Sequence, residues 1–227
     1  MTNPSRPSGD VIHAVVFDLD GVLIDSEPVW EEVRHGLVAE RGGRWLPEAQ
    51  SRLMGMSTPE WARYLREDLG VDLPPEQIAA AVVDRMAARY ARQLPLMPDA
   101  TNTLGRVGQR WRLALASSSP RALIDTVLAT AGWTRLFDVT ISTEEVGSGK
   151  PAPDVYLATV ERLKVAARSA VAIEDSTNGL RSAAAAGLRL IAVPRPSYPP
   201  AADALNGADL VLTRLSDLSV AAIESLS

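Results

Sequence analysis

Strand-length runs of apolar and β-branched residues recur along the 227-residue chain at 11–17 (VIHAVVF), 111–116 (WRLALA), 137–141 (FDVTI), 170–174 (AVAIE), 188–193 (LRLIAV) and 209–212 (DLVL). Between the later runs, apolar positions return every three or four residues over 98–109, 120–131, 153–165 and 177–186, and again over 215–226. That spacing predicts amphipathic helices. Strand alternating with helix predicts an α/β fold whose mostly parallel sheet is sandwiched by helices. The punctuation agrees: Ser119 and Pro120 stand where a helix would be capped and begun, and Gly132 and Gly187 lie just past two predicted helix ends.

The stretch 27–94 breaks the alternation. It holds no convincing strand and reads as helices separated by Gly42-Gly43, Gly55 and Pro74-Pro75. The expected organisation is therefore a catalytic core of 11–26 and 95–227, interrupted by an all-helical insertion over 27–94 and preceded by a disordered leader, 1–10. An insertion directly after the first strand can sit over the carboxyl ends of the sheet, where open α/β folds place their ligands.

Composition narrows the field. A chain with 46% hydrophobic residues can bury a full core, and a formal charge of −5 with no basic tract argues against nucleic-acid or anionic-membrane binding. No stretch approaches the roughly 20 apolar residues of a membrane span. The absence of cysteine removes disulfides, thiolate nucleophiles and cysteine-ligated metals. The polar start, MTNPSRPSGD, lacks the apolar segment of a secretory signal, so a cytoplasmic location is expected.

The candidate chemistry sits at the strand ends. The first run passes into Asp18-Leu19-Asp20-Gly21, two carboxylates of one alternation phase followed by a residue free to turn sharply. Acidic residues also commonly end strands and cap the next turn. Other strand ends add Ser117-Ser118-Ser119, Lys150-Pro151 and Glu174-Asp175. Four carboxylates on one rim raise one another's pKa unless a cation intervenes, and hard oxygen ligands around Mg²⁺, completed by a substrate phosphate, relieve that cost.

These strings, VVFDLDGVLIDSE, LALASSS, GKPAPDVY and IEDSTNGLRSAAAAGL, resemble the four ordered motifs of the haloacid dehalogenase superfamily. The branch most similar has a Rossmann-like core with a helical cap inserted after the first motif, and includes β-phosphoglucomutase-like proteins and sugar-phosphate phosphatases. The resemblance implies a Mg²⁺-dependent phosphatase acting on a small phosphorylated metabolite, as a monomer. It implies Asp18 as nucleophile, forming an aspartyl-phosphate, and Asp20 as the acid that then turns base. Ser117, Ser118 and Lys150 would bind the phosphoryl group. The metal would be held by Asp18, the Asp20 backbone carbonyl and Asp175, with Glu174 adjacent or acting through water. Lys150 and Lys164 are the only lysines, and a retained lysine at the motif position fits a compact point charge.

Mutase chemistry in this branch goes with a histidine shortly after the nucleophile motif and a cap arginine. Trp30 and Thr58 occupy those positions here, with Arg52 or Arg63 as possible substitutes for the arginine. The string DSEPVW resembles bacterial hexose- and hexitol-phosphate phosphatases. A catalytically idle phosphate- and metal-binding module is the remaining alternative. The other conspicuous side chains have ordinary readings: Ser26 and Glu27 as caps of a helix near Pro28, Trp30, Trp45, Trp61 and Tyr64 as helix core, and Asn178-Gly179 as a close approach of helix to strand.

Overall fold

The computed structural model describes residues 11–53 and 56–227, so the 1–10 leader and the Gly55 break lie outside the described residues. Strand β1 (Ala14–Phe17) is completely buried and lies at the centre of a sheet ordered β3-β2-β1-β4-β5-β6, every pairing parallel. The partners are β2 (Arg112–Ser117), β3 (Val139–Ser142), β4 (Ala170–Glu174), β5 (Arg189–Ala192) and β6 (Leu210–Val211). A two-residue repeat sends alternate side chains to opposite faces. Val15 and Phe17 accordingly join one hydrophobic core, and Ala14 and Val16 join a second on the far side. The result is the α/β, Rossmann-like fold that the alternation predicts. Because the chain runs from β1 to β2 on one side and only later to β4 on the other, a crevice opens above the carboxyl end of β1.

Between β1 and β2 the chain first forms α1 (Glu27–Glu40), α2 (Ala49–Leu53), α3 (Thr58–Glu67) and α4 (Pro75–Arg92) among the described residues. Helix α4 packs on α1 and α3 through Ile78, Val82, Met86 and Tyr90, and reaches across to α6 (Arg121–Ala131). Ser57 and Glu60 form a capping box that starts α3. The two crossing points are tied together: Asp25 N–H donates to Pro95 O at 2.7 Å and Met97 N–H to Leu23 O at 2.9 Å.

The remaining helices are α5 (Ala100–Gly108), α7 (Asp154–Leu163), α8 (Thr177–Ala185), α9 (Ala202–Asn206) and α10 (Val220–Glu224). Gly132 closes α6 at φ 72°, and Gly187 follows α8 at φ 82°. The structure departs from the sequence pattern in three places. The predicted helix over 215–226 is a 3₁₀ turn, Leu215–Asp217, and then α10, because the Ser219 hydroxyl accepts from Ala222 N–H and starts a new helix. Helix α9 is too short to give a periodic signal. The residue before α6 is Pro120 rather than Ser119, whose side chain is engaged elsewhere. Among the described residues no helix is long and apolar enough to cross a membrane.

Candidate active site

The chain leaves β1 at Asp18 and turns at once. Gly21 takes φ 83°, and its N–H closes on Ile24 O at 2.8 Å, so the backbone folds back over the strand end. A Cβ on Gly21 would stand 1.9 Å from Asp175 Oδ2, so only glycine lets the Asp175 carboxylate approach. Gly179 plays the same part in α8: its Cβ would fall 1.9 Å from Glu174 Oε2. The close approach predicted at Asn178-Gly179 is thus made to a carboxylate as well as to a strand.

Lys150 fixes the floor of the crevice. Its ammonium, with only 5% of the side chain exposed, donates to Asp18 Oδ1 (2.6 Å), Glu174 Oε1 (2.6 Å) and Ala116 O (3.0 Å). Tyr156, one turn into α7, donates its hydroxyl to the same Glu174 oxygen at 2.6 Å. The other Glu174 oxygen accepts from Asp175 N–H at 3.2 Å and Ser176 Oγ at 3.4 Å. Glu174 is therefore fully engaged by the protein, and it anchors the lysine against Asp18.

The serine turn meets Asp20. Ser119 Oγ donates to Asp20 Oδ2 at 2.7 Å and Ser117 Oγ reaches it at 3.4 Å, while Ser119 N–H donates to Ser117 Oγ at 3.0 Å. Ser118 is exposed. Strand alternation could have shown this, since residues 117 and 119 share a phase that residue 118 lacks. Asp20 Oδ1 is buried with no hydrogen-bond partner among the described residues.

Asp18, Glu174 and Asp175 each bring a carboxylate oxygen within 4.8 Å of the other two. Burial pushes the Asp18 carboxyl up to about 8; Glu174 and Asp20 push the same way and Lys150 opposes them. Burial, with Asp18 and Glu174, also holds Asp175 well above the carboxylate range. Lys150 is pushed above its usual range because its two carboxylate partners outweigh the cost of burial. One ammonium therefore leaves negative charge uncompensated. The all-oxygen donor set and the space that Gly21 keeps open beside Asp175 fit a hard divalent cation such as Mg²⁺.

Above the floor, Arg195 extends from the loop after β5 to Asp25 at 2.6 Å, bridging the sheet to the first crossing. In α1, Arg34 is buried, with its guanidinium carbon 4.5 Å from the Trp30 ring centroid and 5.0 Å from that of Trp61. Arg52 and Arg63, the alternatives for a cap arginine, are both exposed, and Arg52 pairs with Asp68 and covers Tyr64 instead. His13 and His35 are exposed and away from these contacts. The motifs did not mark Ser119, Tyr156, Arg195 or Arg34. Only Ser119 and Tyr156 lie within the motif strings.

Known proteins resemble this chain. The profile of haloacid dehalogenase-like hydrolases matches residues 12–187, and the chain belongs to that family of enzymes. It is 32% identical over 181 residues to a phosphorylated carbohydrates phosphatase of Thermotoga maritima, covering 79% of this chain and 84% of the relative. It is 31% identical over 191 residues to hexitol phosphatase B of Escherichia coli, covering 82% and 85%. Its fold superposes with a TM-score of 0.84 on a mutant of CbbY from Rhodobacter sphaeroides in complex with xylulose-(1,5)bisphosphate, at 29% identity over 94% of this chain and 100% of that one.

Proposed function

We propose that this protein is a Mg²⁺-dependent phosphatase that hydrolyses small sugar or polyol phosphomonoesters through an aspartyl-phosphate on Asp18. The observation that carries the reading is Lys150, buried between Asp18 and Glu174 beside Asp20 and Asp175. The names of the relatives support the substrate class. In this reading residues 11–26 and 95–227 form the catalytic core, and 27–94 form a cap that excludes water when closed.

Asp18, Asp175 and the Asp20 backbone carbonyl would hold the ion, with Glu174 behind them. When bound, the ion offsets charge on the carboxylates and on the phosphoryl oxygens. Lys150 holds Asp18 oriented through Oδ1, and the carboxylate attacks phosphorus. A new O–P bond forms as the ester P–O bond breaks, and protonated Asp20 gives its proton to the departing alkoxide. Asp20, now a base, takes a proton from the water that attacks the phosphorus, returning free Asp18 and inorganic phosphate. Ser117 and Lys150 bind the transferring group, while Ser118 faces outward and Ser119 holds Asp20.

Return of the phosphate to a second hydroxyl, as in a mutase, is disfavoured. Trp30 fills the position where mutases place their histidine, and it packs against Arg34 and Trp61. The test is phosphate release from sugar, polyol and glycolate monoesters, with Mg²⁺ and with EDTA, while glucose 1-phosphates are scored for isomerisation. Release that EDTA abolishes is expected. Isomerisation without release would overturn the phosphatase, and inactivity on every ester would point to an idle binding module.

A further inference from the structure

Near the start of α1, buried polar atoms of α1, α2 and the rim have no hydrogen-bond partner among the described residues. They are Arg34 Nε, Gln50 Oε1 and Asp20 Oδ1; the buried hydroxyls of Ser26 and Tyr90 lie close enough to interact with each other and have no other partner among the described residues. Leaving such atoms unpaired costs about 1–3 kcal/mol each, and more for a charge. Arg34 stands out. It is 6% exposed, its Nε has no partner among the described residues, and its guanidinium lies against the faces of Trp30 and Trp61. Burial lowers its pKa to about 10, with Glu27, Tyr90 and Asp20 near enough to counter the effect. Glu27, steadied by Gln50 Nε2 at 3.1 Å, is itself raised by burial despite that guanidinium. A guanidinium and a carboxyl thus lie near enough to influence each other with no hydrogen bond between them among the described residues.

We propose that Arg34 is a specificity residue that, with Glu27 and Tyr90, reads the hydroxyl groups of a neutral polyol or sugar leaving group. This rests on the phosphatase assignment and names the part of the substrate that it leaves open. The open atoms include a pure donor (Arg34 Nε), an amide oxygen (Gln50 Oε1) and a carboxyl oxygen (Asp20 Oδ1), beside the two hydroxyls, which serve as donor or acceptor. Such a mixture suits groups that both donate and accept. A second phosphate or a carboxylate would meet Arg34 but also Glu27 and Asp20. The Trp30 and Trp61 rings hold the guanidinium plane in place, so little side-chain freedom is lost when it donates.

The test uses the full chain carrying Asp18→Asn, in Mg²⁺, titrated calorimetrically with glucitol 6-phosphate and with inorganic phosphate. Arg34→Met keeps the apolar stem between the tryptophans, and Tyr90→Phe removes only a hydroxyl. Arg34→Met should raise the ratio of the glucitol 6-phosphate to the phosphate dissociation constant about tenfold, or about 1.4 kcal/mol, and Tyr90→Phe should raise it about threefold. Arg34→Lys should recover part of the ratio. Equal weakening of both ligands, or no change in either variant, would overturn the proposal while leaving the phosphatase intact. A preference for a sugar bisphosphate that Arg34→Met erases would overturn the hydroxyl reading and assign Arg34 to a second phosphate. Binding of neither ligand by the parent would overturn the phosphatase reading itself.

Discussion

The rim of the sheet and the helices above it handle buried polar groups in opposite ways. At the rim, Lys150 and both oxygens of Glu174 find protein partners, and these hydrogen bonds join the loop after β3 to β1, β2 and β4. Beneath α1 and α4, by contrast, Arg34 Nε is buried and open, and the buried hydroxyls of Ser26 and Tyr90 have only each other among the described residues. A satisfied network holds its members in place before substrate arrives, which is what phosphoryl chemistry requires of a nucleophile and its lysine. An unsatisfied pocket gives up stability that the right ligand returns, and so it favours one leaving group over another.

The comparison can be broken most severely at its floor. Asp18→Asn should remove turnover altogether, measured as phosphate release by protein prepared free of host phosphatases, since no other carboxylate occupies its place against Lys150. Lys150→Ala should lower kcat/KM by about 10²–10³. It should also cost about 3–5 kcal/mol of stability, because Asp18 and Glu174 lose their shared cation; chemical denaturation checks this. Gly179→Ala should destabilise by about 1–3 kcal/mol, since the added methyl meets the Glu174 carboxylate. Tyr156→Phe should lower activity less than Lys150→Ala, because Lys150 still holds the Glu174 oxygen that Tyr156 also serves.

Metal removal sharpens the same contrast more gently. Asp18 has its folded-state pKa raised to about 8, above the value near 3.9 of an unfolded aspartate. The metal-free folded protein therefore holds a proton that the unfolded chain releases, and stability falls as pH rises between those values. In EDTA the melting temperature should drop between about pH 5 and pH 8, by about 2–4 °C for each kcal/mol lost. Mg²⁺, which favours the ionised carboxylates, should restore it at the upper end and do little at the lower.

The two regions also differ in how they could be read from the sequence. Strand periodicity and the motif strings pointed to Asp18, Asp20, Ser117, Lys150, Glu174 and Asp175, because these groups sit at strand ends or, for Asp20 and Lys150, in the segments that follow them. Ser119 was hidden by its neighbouring proline, which made it look like a cap. Tyr156 lies within a motif string but carries no charge to mark it. Arg34 and Tyr90 were invisible for a different reason: helical spacing gives a buried face, but not which buried polar atom on it is left without a hydrogen bond. Which polar atoms are left open depends on how α1, α3 and α4 pack, and only the assembled structure contains it.

The most direct test of the central claim is to locate the transferred phosphate. Wild-type and Asp20→Asn proteins would be mixed with substrate and Mg²⁺, quenched in acid and digested, and the peptide spanning Asp18 would be weighed. The account predicts one phosphoryl group on that peptide, accumulating in Asp20→Asn because the second proton transfer is impaired. Sustained phosphate release with Asp18 unmodified throughout, or with the phosphoryl group on another residue, would contradict it.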